Sequence, residues 1–347
     1  MTEEFVPHRV FFEPSALEYP LGRLLVEDFR RMGVSVTPTP SHNRVTGIPG
    51  NNPPQAYREA KRTLVIGVRR SSKFQTCKPS AHYQLPLVTS CPGMCEYCYL
   101  STTLGKKPYV RVYVNLEEIL EIASKLIQER SPEITLFEGA ATSDPIPVER
   151  YTGALKQTIN FFGLNQYGRF RFVTKFTDVD SLLSARHEGH TRFRFSLNCD
   201  YVVSKYEHLT PSPEQRIIAS GKILKAGYPL GFIIAPIFKF SGWKEEYERL
   251  LERTAEELTR LAPKGWSPEQ LTLEFISHRY TLKAKATILE IYPNSSLPMA
   301  EEERKFKYGQ FGYGKYIYPN EDLEELKEFF RKQADTYFPM AKVEYFI

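Results

Sequence analysis

Short apolar runs rich in β-branched and aromatic residues alternate with longer amphipathic runs from about residue 83 onward. The apolar runs have the character of buried strands, and the amphipathic runs have the apolar spacing of helices. The predicted strands are Gln84–Thr89, Tyr109–Val114, Ile134–Ala140, Phe170–Phe176, Phe193–Leu197, Leu230–Ile237 and Leu271–Ile276. The predicted helices are Leu116–Glu129, Val148–Phe162, Glu214–Ala226 and Lys244–Leu261. This alternation predicts an α/β fold, a partial (β/α)6 TIM-type barrel with its site at the C-terminal ends of the strands.

Both ends of the chain depart from this alternation. Residues 1–60 predict a small N-terminal α/β extension, which ends in a segment rich in Pro, Asn and Gly. From residue 301, the run Arg304–Tyr318 predicts a hairpin, Asp322–Phe338 an amphipathic helix, and Val343–Ile347 a closing strand. We therefore predict an extension at 1–60, a barrel at 61–300 and a C-terminal DNA-contacting hairpin, helix and strand at 301–347.

Composition narrows the class of protein. The 347 residues include 46 basic and 41 acidic side chains, a net charge of +5 that is compatible with nucleic acid without requiring it. The longest apolar stretch, Pro229–Phe238, falls far short of the ~20 residues that span a bilayer, and the N-terminus has no apolar run typical of a secretory signal. We expect a cytoplasmic monomer with no membrane partner, and the odd count of five cysteines, three of them within eight residues, indicates metal or redox chemistry.

Three of the five cysteines, Cys91, Cys95 and Cys98, fall within eight residues, directly after the first predicted barrel strand. A structural zinc site needs four protein ligands, and no fourth cysteine lies nearby. A [4Fe–4S] cluster with four iron atoms and three thiolates keeps one iron open to a further ligand. The spacing, with Tyr97 as the aromatic residue before the last cysteine, resembles the motif of the radical S-adenosylmethionine (SAM) superfamily. That resemblance implies a [4Fe–4S] cluster whose open iron chelates SAM.

Further segments resemble the spore photoproduct lyase family over essentially the whole chain. The segments that carry the resemblance are Ser41–Val45, Lys61–Arg69, Thr102–Tyr109, Phe172–Phe176, Thr191–Ser196, Ala226–Phe232, Gly309–Pro319 and Glu344–Phe346. The resemblance implies a radical SAM lyase that repairs 5-thyminyl-5,6-dihydrothymine in damaged DNA to two thymines. It implies a 5′-deoxyadenosyl radical, a reductant such as flavodoxin or ferredoxin, and a spore-forming bacterium whose spore core holds the enzyme.

The resemblance also assigns roles to single residues. Cys91, Cys95 and Cys98 match the cluster ligands, Tyr97 matches the aromatic beside the SAM adenosyl group, and Tyr99 matches a second functional tyrosine. The positions that match SAM contacts are Ser143, Lys175 and Ser196. From the residues alone, Ser143 could equally begin a helix, and Lys175 could be a solvated lysine at a strand end.

The chain departs from the family at Ala141. The family carries a cysteine there as hydrogen donor to the product radical, and a methyl group cannot replace a thiol in that role. Either the chain is an engineered variant or another group donates the hydrogen. Among the possible substitutes, Tyr97 and Tyr99 are better placed than Cys199, and Cys77 is interpreted as a small buried residue without a role. We therefore expect hydrogen to be returned poorly.

Two basic segments are candidate nucleic-acid contacts. The run Arg58–Lys78 contains seven basic residues, which could neutralise phosphates or simply form a solvated face. The hairpin interleaves cations with aromatic rings, a combination that fits phosphate contact and base stacking or wedging, although a tyrosine-rich core hairpin would look similar. The predicted DNA-binding residues are Arg304, Lys305, Lys307, Tyr308 and Phe311.

Two other functions remain open from the sequence. A different radical SAM enzyme could reuse this scaffold on another substrate, and Ala141 keeps that alternative open. A non-catalytic iron–sulfur or zinc protein that binds DNA is the second.

Overall fold

Strands and helices alternate along most of the chain in the computed structural model, which describes residues 4–78, 80–308 and 314–347. The strands are β1 (Arg9–Phe12), β2 (Ser35–Pro38), β3 (Thr63–Gly67), β4 (Thr76–Cys77), β5 (Ala81–Gln84), β6 (Val88–Thr89), β7 (Met94–Cys95), β8 (Val110–Tyr113), β9 (Thr135–Glu138), β10 (Gly168–Thr174), β11 (Thr191–Leu197), β12 (Glu207–His208), β13 (Leu230–Ile237), β14 (Thr272–Ser277), β15 (Lys305–Tyr308), β16 (Gly314–Ile317) and β17 (Lys342–Phe346).

The α-helices are α1 (Pro20–Arg31), α2 (Pro53–Lys61), α3 (Leu100–Thr103), α4 (Leu116–Arg130), α5 (Ile146–Thr152), α6 (Ala154–Gly163), α7 (Asp200–Tyr206), α8 (Pro213–Lys225), α9 (Trp243–Leu261), α10 (Leu282–Ile291) and α11 (Asn320–Tyr337). Several begin at the signals that the sequence carries. At α8, for example, Ser212 accepts from the Gln215 N–H, the Gln215 side chain accepts from the Ser212 N–H, and Pro213 occupies the first turn.

The first of two units comprises the residues up to Gly93 together with Thr103–Arg192. One sheet in it has the order β2-β1-β3-β8-β6, with all pairs parallel except β6 with β8. A second group of strands pairs β10 with β9 and β9 with β5 in parallel, and β5 with β4 in antiparallel fashion. The rings of Phe137, Phe162 and Phe170 pack together where α6 covers this group.

The second unit comprises Met94–Thr102 and Phe193–Ile347. Its main strands, β11, β13, β14 and β17, pair in parallel in that order. The short strands β7 and β12 pair in antiparallel fashion, and β15 and β16 form the predicted hairpin. Helices α9 and α11 contribute Tyr247 and Phe330, whose rings pack 5.2 Å apart. The loop that carries two of the motif cysteines therefore belongs to this unit.

Three details of the predicted elements are wrong. The run Gln84–Thr89 is two strands, because Pro86 has no N–H for the ladder and the chain leaves β5 after Gln84. Tyr109–Val114 is a strand, β8, but it pairs with β3 and β6 in the N-terminal sheet. The predicted helix Val148–Phe162 is divided at Gly153, whose φ of 59° ends α5 in a left-handed conformation.

In the described part of the chain, no helix has the length and apolarity needed to cross a membrane.

A buried ion pair joins two of the parallel strands in the second unit. Arg194 Nη1 lies 2.9 Å from both carboxylate oxygens of Glu274, and both side chains are almost fully buried. We predict that Glu274→Gln lowers the free energy of unfolding by about 3 kcal/mol, because it leaves a buried guanidinium without its counter-charge. Urea unfolding followed by circular dichroism measures the loss.

The matched control is Glu324→Gln, which removes an exposed ion pair with Lys327 on α11. That change should cost less than about 0.5 kcal/mol. Equal losses in the two variants would contradict the importance of the buried pair.

Candidate active site

The chain enters the cysteine motif through a fixed backbone in the first unit. Ser90 follows β6 with a φ of 66°, in the left-handed region that side chains other than glycine seldom adopt. Its N–H donates to the Thr142 carbonyl at 2.8 Å and its hydroxyl to the Pro108 carbonyl at 2.7 Å. Lys61, which is fully buried, donates to the Cys91 carbonyl at 3.0 Å. These bonds fix the backbone that carries the first cysteine.

Asp144 is the second anchor of this region. Its buried carboxylate accepts from the Thr174 hydroxyl and the Lys175 N–H, both at 2.9 Å, and from the Ile146 N–H at 3.2 Å. Its own N–H donates to the Ser90 carbonyl at 3.4 Å. Burial raises the pKa of Asp144 to about 6, against the lowering by these donors. Asp144 therefore connects the ends of three strands, β6, β9 and β10.

In the second unit, the loop with Cys95 and Cys98 is held by its pairing with β12. Cys95 lies directly opposite Glu207, and the Glu96 N–H donates to the Tyr206 carbonyl at 2.9 Å. The Glu96 carboxylate contacts His208 Nε2 at 2.8 Å and accepts from the Ser295 hydroxyl. The loop is therefore bonded through both its backbone and its side chains.

A buried polar chain starts at Tyr97. The Tyr97 hydroxyl donates to Glu207, and Arg216 donates to the other Glu207 oxygen at 2.6 Å. Arg216 is fully buried and also donates to the Ser196 carbonyl at 3.0 Å. Burial, followed by the charge of Glu207, raises the pKa of Tyr97 well above its usual range, so the phenol stays protonated. The chain links the motif aromatic to the strand that carries Ser196.

The three motif thiols have the chemistry that an iron–sulfur cluster requires. Cys95 is buried, Cys91 and Cys98 are half-buried, and no disulfide involves them. The Cys98 N–H donates to the Cys95 carbonyl at 3.2 Å, which closes a tight turn between two of the ligands. No three His, Cys, Asp or Glu side chains in the described ranges, the motif cysteines included, are grouped to hold a metal ion.

The candidate SAM contacts lie at strand ends in both units. Ser143 is half-buried, its hydroxyl 3.4 Å from the Gly139 carbonyl, and Lys175 follows β10 with its N–H on Asp144. Ser196 is buried within β11 of the second unit. Tyr99 is 55% exposed, on the loop between β7 and α3. Each remains a prediction as a cofactor contact.

The remaining cysteines differ sharply from one another. Cys199 is fully buried at the start of α7, and burial raises the pKa of its thiol to about 12. Cys77 lies in β4 and is half-buried, where a small buried residue was expected. Ala141 follows β9 and is also half-buried.

The predicted DNA contacts on the hairpin differ in their exposure to solvent. Lys305, Lys307 and Tyr308 are exposed, Tyr308 at 74%. Arg304 is 9% exposed, and its guanidinium donates to the Pro298 carbonyl at 2.9 Å and stacks 3.6 Å from the Tyr318 ring centre. These contacts give Arg304 a structural role in this structure. Phe311 lies outside the described residues.

Sequence reasoning missed Glu207, Arg216, Asp144 and Lys61. Only Asp144 carried a local signal, as a helix-start residue beside Ser143. Lys61 was counted in the surface basic run, but it is buried and also lies 5.4 Å from the Tyr57 ring centre.

Three reduced thiols at this spacing on a loop after a strand, with parallel strands in both units, define the class as radical SAM enzymes. The family model for spore photoproduct lyase matches residues 5–347. Spore photoproduct lyase of Clostridium acetobutylicum is 51% identical over 339 residues, 98% of each chain, and that of Bacillus subtilis is 49% identical over 100% of each. The chain belongs to the spore photoproduct lyase family of radical SAM lyases.

Solved structures agree with this assignment. A spore photoproduct lyase complexed with dinucleoside spore photoproduct has a TM-score of 0.95 and 49% identity, over 99% of this chain and 100% of that chain. A mutant with a cysteine replaced by alanine and a serine by cysteine, solved with bound AdoMet and the same lesion, has a TM-score of 0.95 and 50% identity over the same shares. The predicted partial TIM-type barrel is thereby confirmed.

We predict that Cys95→Ala loses the cluster, while Cys77→Ala and Cys199→Ala keep it, because only Cys95 belongs to the three-thiol motif. Anaerobic reconstitution should give about four irons per chain in the last two variants. Iron analysis and the visible absorption of the cluster measure the result. Loss of iron in Cys77→Ala and retention in Cys95→Ala would overturn the assignment.

Proposed function

We propose that this protein repairs the lesion spore photoproduct in DNA to two thymines. The observation that carries the proposal is similarity over the whole chain to lyases solved with AdoMet and the dinucleoside lesion. The cluster loop supports it, because three reduced thiols stand on a backbone bonded on both sides. A reductant of the flavodoxin or ferredoxin class would supply the electron.

In this proposal, Cys91, Cys95 and Cys98 hold a [4Fe–4S] cluster. When bound, the cluster and SAM supply a 5′-deoxyadenosyl radical that removes hydrogen from C6 of the lesion. The contacts to SAM would come from Tyr97, Ser143, Lys175 and Ser196. The Tyr97 hydroxyl is bonded to Glu207, the Lys175 N–H to Asp144 and the Ser196 carbonyl to Arg216. The protein's own contribution is to orient the reactants and exclude water.

The reduced, cluster-loaded protein with SAM should convert the lesion to two thymines in lesion-containing DNA and leave undamaged DNA intact. Chromatography and mass spectrometry of the digested DNA measure the conversion. Cys95→Ala, which lacks the cluster, is the matched control. Cleavage of SAM without consumption of lesion would favour a different radical SAM enzyme, and binding of DNA without cleavage of SAM would favour a non-catalytic protein.

We further propose that Cys77 donates the hydrogen atom to the product radical in place of the residue at 141. In the doubly substituted relative, the introduced cysteine and the introduced alanine lie as many residues apart as Cys77 and Ala141 do here. In another relative, the tyrosine replaced by phenylalanine lies as far from the same cysteine as Tyr99 lies from Ala141. This chain thus carries the same pair of residues as that double mutant.

The packing of the first unit supports this role. Ser80, three residues after Cys77, donates to Glu138 Oε2 at 3.0 Å, and Glu138 Oε1 accepts from the Ala140 N–H at 3.3 Å. Glu138 therefore joins the segment that follows Cys77 to the residue that precedes Ala141. The motif cysteines are committed to the cluster and Cys199 is inaccessible, so Cys77 is the remaining thiol.

The step is balanced in atoms and electrons. The Cys77 S–H bond breaks homolytically, its hydrogen atom forms the new methyl C–H bond of thymine, and a thiyl radical remains. One electron from the flavodoxin- or ferredoxin-class reductant and one proton restore the thiol.

With Cys77 as donor, the protein as it stands should give clean thymine, in place of the poor return of hydrogen expected from Ala141 alone. Cys77→Ala should give aberrant thymine products for each lesion consumed. Adding Ala141→Cys to Cys77→Ala should restore clean thymine, because the thiol is returned to the family's position. In D2O, the thymine methyl group should gain one deuterium from the exchangeable thiol, and Cys77→Ala should lose that label. Cys199→Ala is the control. Clean, labelled thymine from Cys77→Ala would refute the role.

A further inference from the structure

The hairpin and the segment around Tyr280 together form a ribbon. Within it, Phe306 lies opposite Tyr316 and Lys307 opposite Lys315. Tyr280 joins β16 through a single antiparallel bridge, since its N–H and carbonyl exchange bonds of 3.1 Å and 2.7 Å with Tyr316. Because side chains alternate across a strand, each face of the ribbon carries every second residue.

One face is aromatic. Tyr280 and Tyr316 stack with ring centres 5.3 Å apart at 11°, and Phe306 meets Tyr316 edge-on at 5.3 Å. Tyr308 extends the row, 5.2 Å from Phe306. On the other side, Tyr280 stacks on His278 at 5.8 Å. The aromatic rings of this face therefore pack against one another.

The opposite face is cationic. The alternation assigns Lys305, Lys307 and Lys315 to it, and Arg279, next to Tyr280, falls on the same side. Lys305 is bonded to Asn320 Oδ1 at 3.2 Å. We call the surface formed by the other three cations, Arg279, Lys307 and Lys315, the anion-binding face.

This arrangement has an electrostatic cost. Like charges directly opposite each other destabilise a sheet, and Lys307 and Lys315 are such a pair. Burial, then the charges of Arg279 and Lys307, lower the pKa of Lys315. Arg279 Nη2 is buried and has no hydrogen-bond partner among the described residues. A buried guanidinium nitrogen without an acceptor is costly in free energy, so an anion that accepts from it would be stabilising.

We infer that the anion-binding face binds a phosphodiester group of the lesion strand, with Arg279 as its buried donor and Lys307 and Lys315 as its flanking charges. A guanidinium fork suits phosphate oxygens, and the two ammonium groups neutralise the charge. The inference rests on the proposed function and assigns it a contact that a dinucleoside lesion, which lacks the bridging phosphate, cannot make.

The test compares two forms of the lesion, the dinucleoside and the phosphate-bridged dinucleotide. The reconstituted protein with SAM should bind the bridged form at least about tenfold more tightly, the scale of a hydrogen bond to a charged group. In Arg279→Gln and in Lys315→Gln, the ratio of the two affinities should fall towards one. Arg279→Lys, which keeps the charge but not the fork, should fall in between.

Lys332→Gln on α11, a change at an exposed lysine, is the control and should keep the ratio of the parent protein. Iron content and thermal unfolding of each variant show whether the fold persists. If Arg279→Gln does not fold, Lys315→Gln provides the test of the affinity ratio. On single-stranded lesion DNA, Arg279→Gln and Lys315→Gln should each also flatten the logarithmic salt dependence by about 0.7, whereas Lys332→Gln should leave it unchanged. Inorganic phosphate distinguishes a general anion site, because only such a site would be blocked at millimolar concentration; that outcome would overturn the phosphodiester assignment.

Equal affinity of the parent protein for the two forms, with repair of both, would refute the anion-binding face and leave the proposed function standing. Failure to bind or repair either form would refute the proposed function itself.

Discussion

The buried pair between Arg216 and Glu207 is the interaction on which the cluster loop depends. Glu207 meets the loop twice, through the backbone opposite Cys95 and through the Tyr97 hydroxyl. Arg216 supplies the positive charge that pairs with this buried carboxylate, and it binds the Ser196 carbonyl as well. Ligand, aromatic residue and candidate SAM contact are therefore held by one ion pair rather than by separate supports.

Much of the fold could be predicted because strand and helix patterns are local. The hairpin, α8, α9 and the parallel strands of both units all follow the periodicity of the chain. The errors arose because local patterns lack information about tertiary packing. Nothing in Tyr109–Val114 indicates which sheet it joins, and Pro86 interrupts a run whose apolar character continues on both sides. Sheet membership is decided by tertiary packing.

The candidate site likewise contains residues that a local motif predicts and residues that no local pattern indicates. The cysteine motif was recognised because its chemistry lies in eight consecutive residues. Arg216 and Lys61 were not, because a charged residue gives no sign in sequence that it is buried with a distant partner. The role proposed for Cys77 has no sequence signal, because a hydrogen donor needs no partner at a fixed spacing. The proposal rests on tertiary information, including the bond between Ser80 and Glu138.

The two-faced ribbon also limits how this region can change in length. Because side chains alternate with a period of two, slipping one strand by a single residue would exchange its aromatic and cationic sets. An insertion or deletion of one residue between Lys305 and Tyr308, or between Gly314 and Ile317, would turn lysines towards Tyr280 and rings towards Arg279. Length variation among related sequences should therefore be confined to the residues between the two strands, with both strands constant in length.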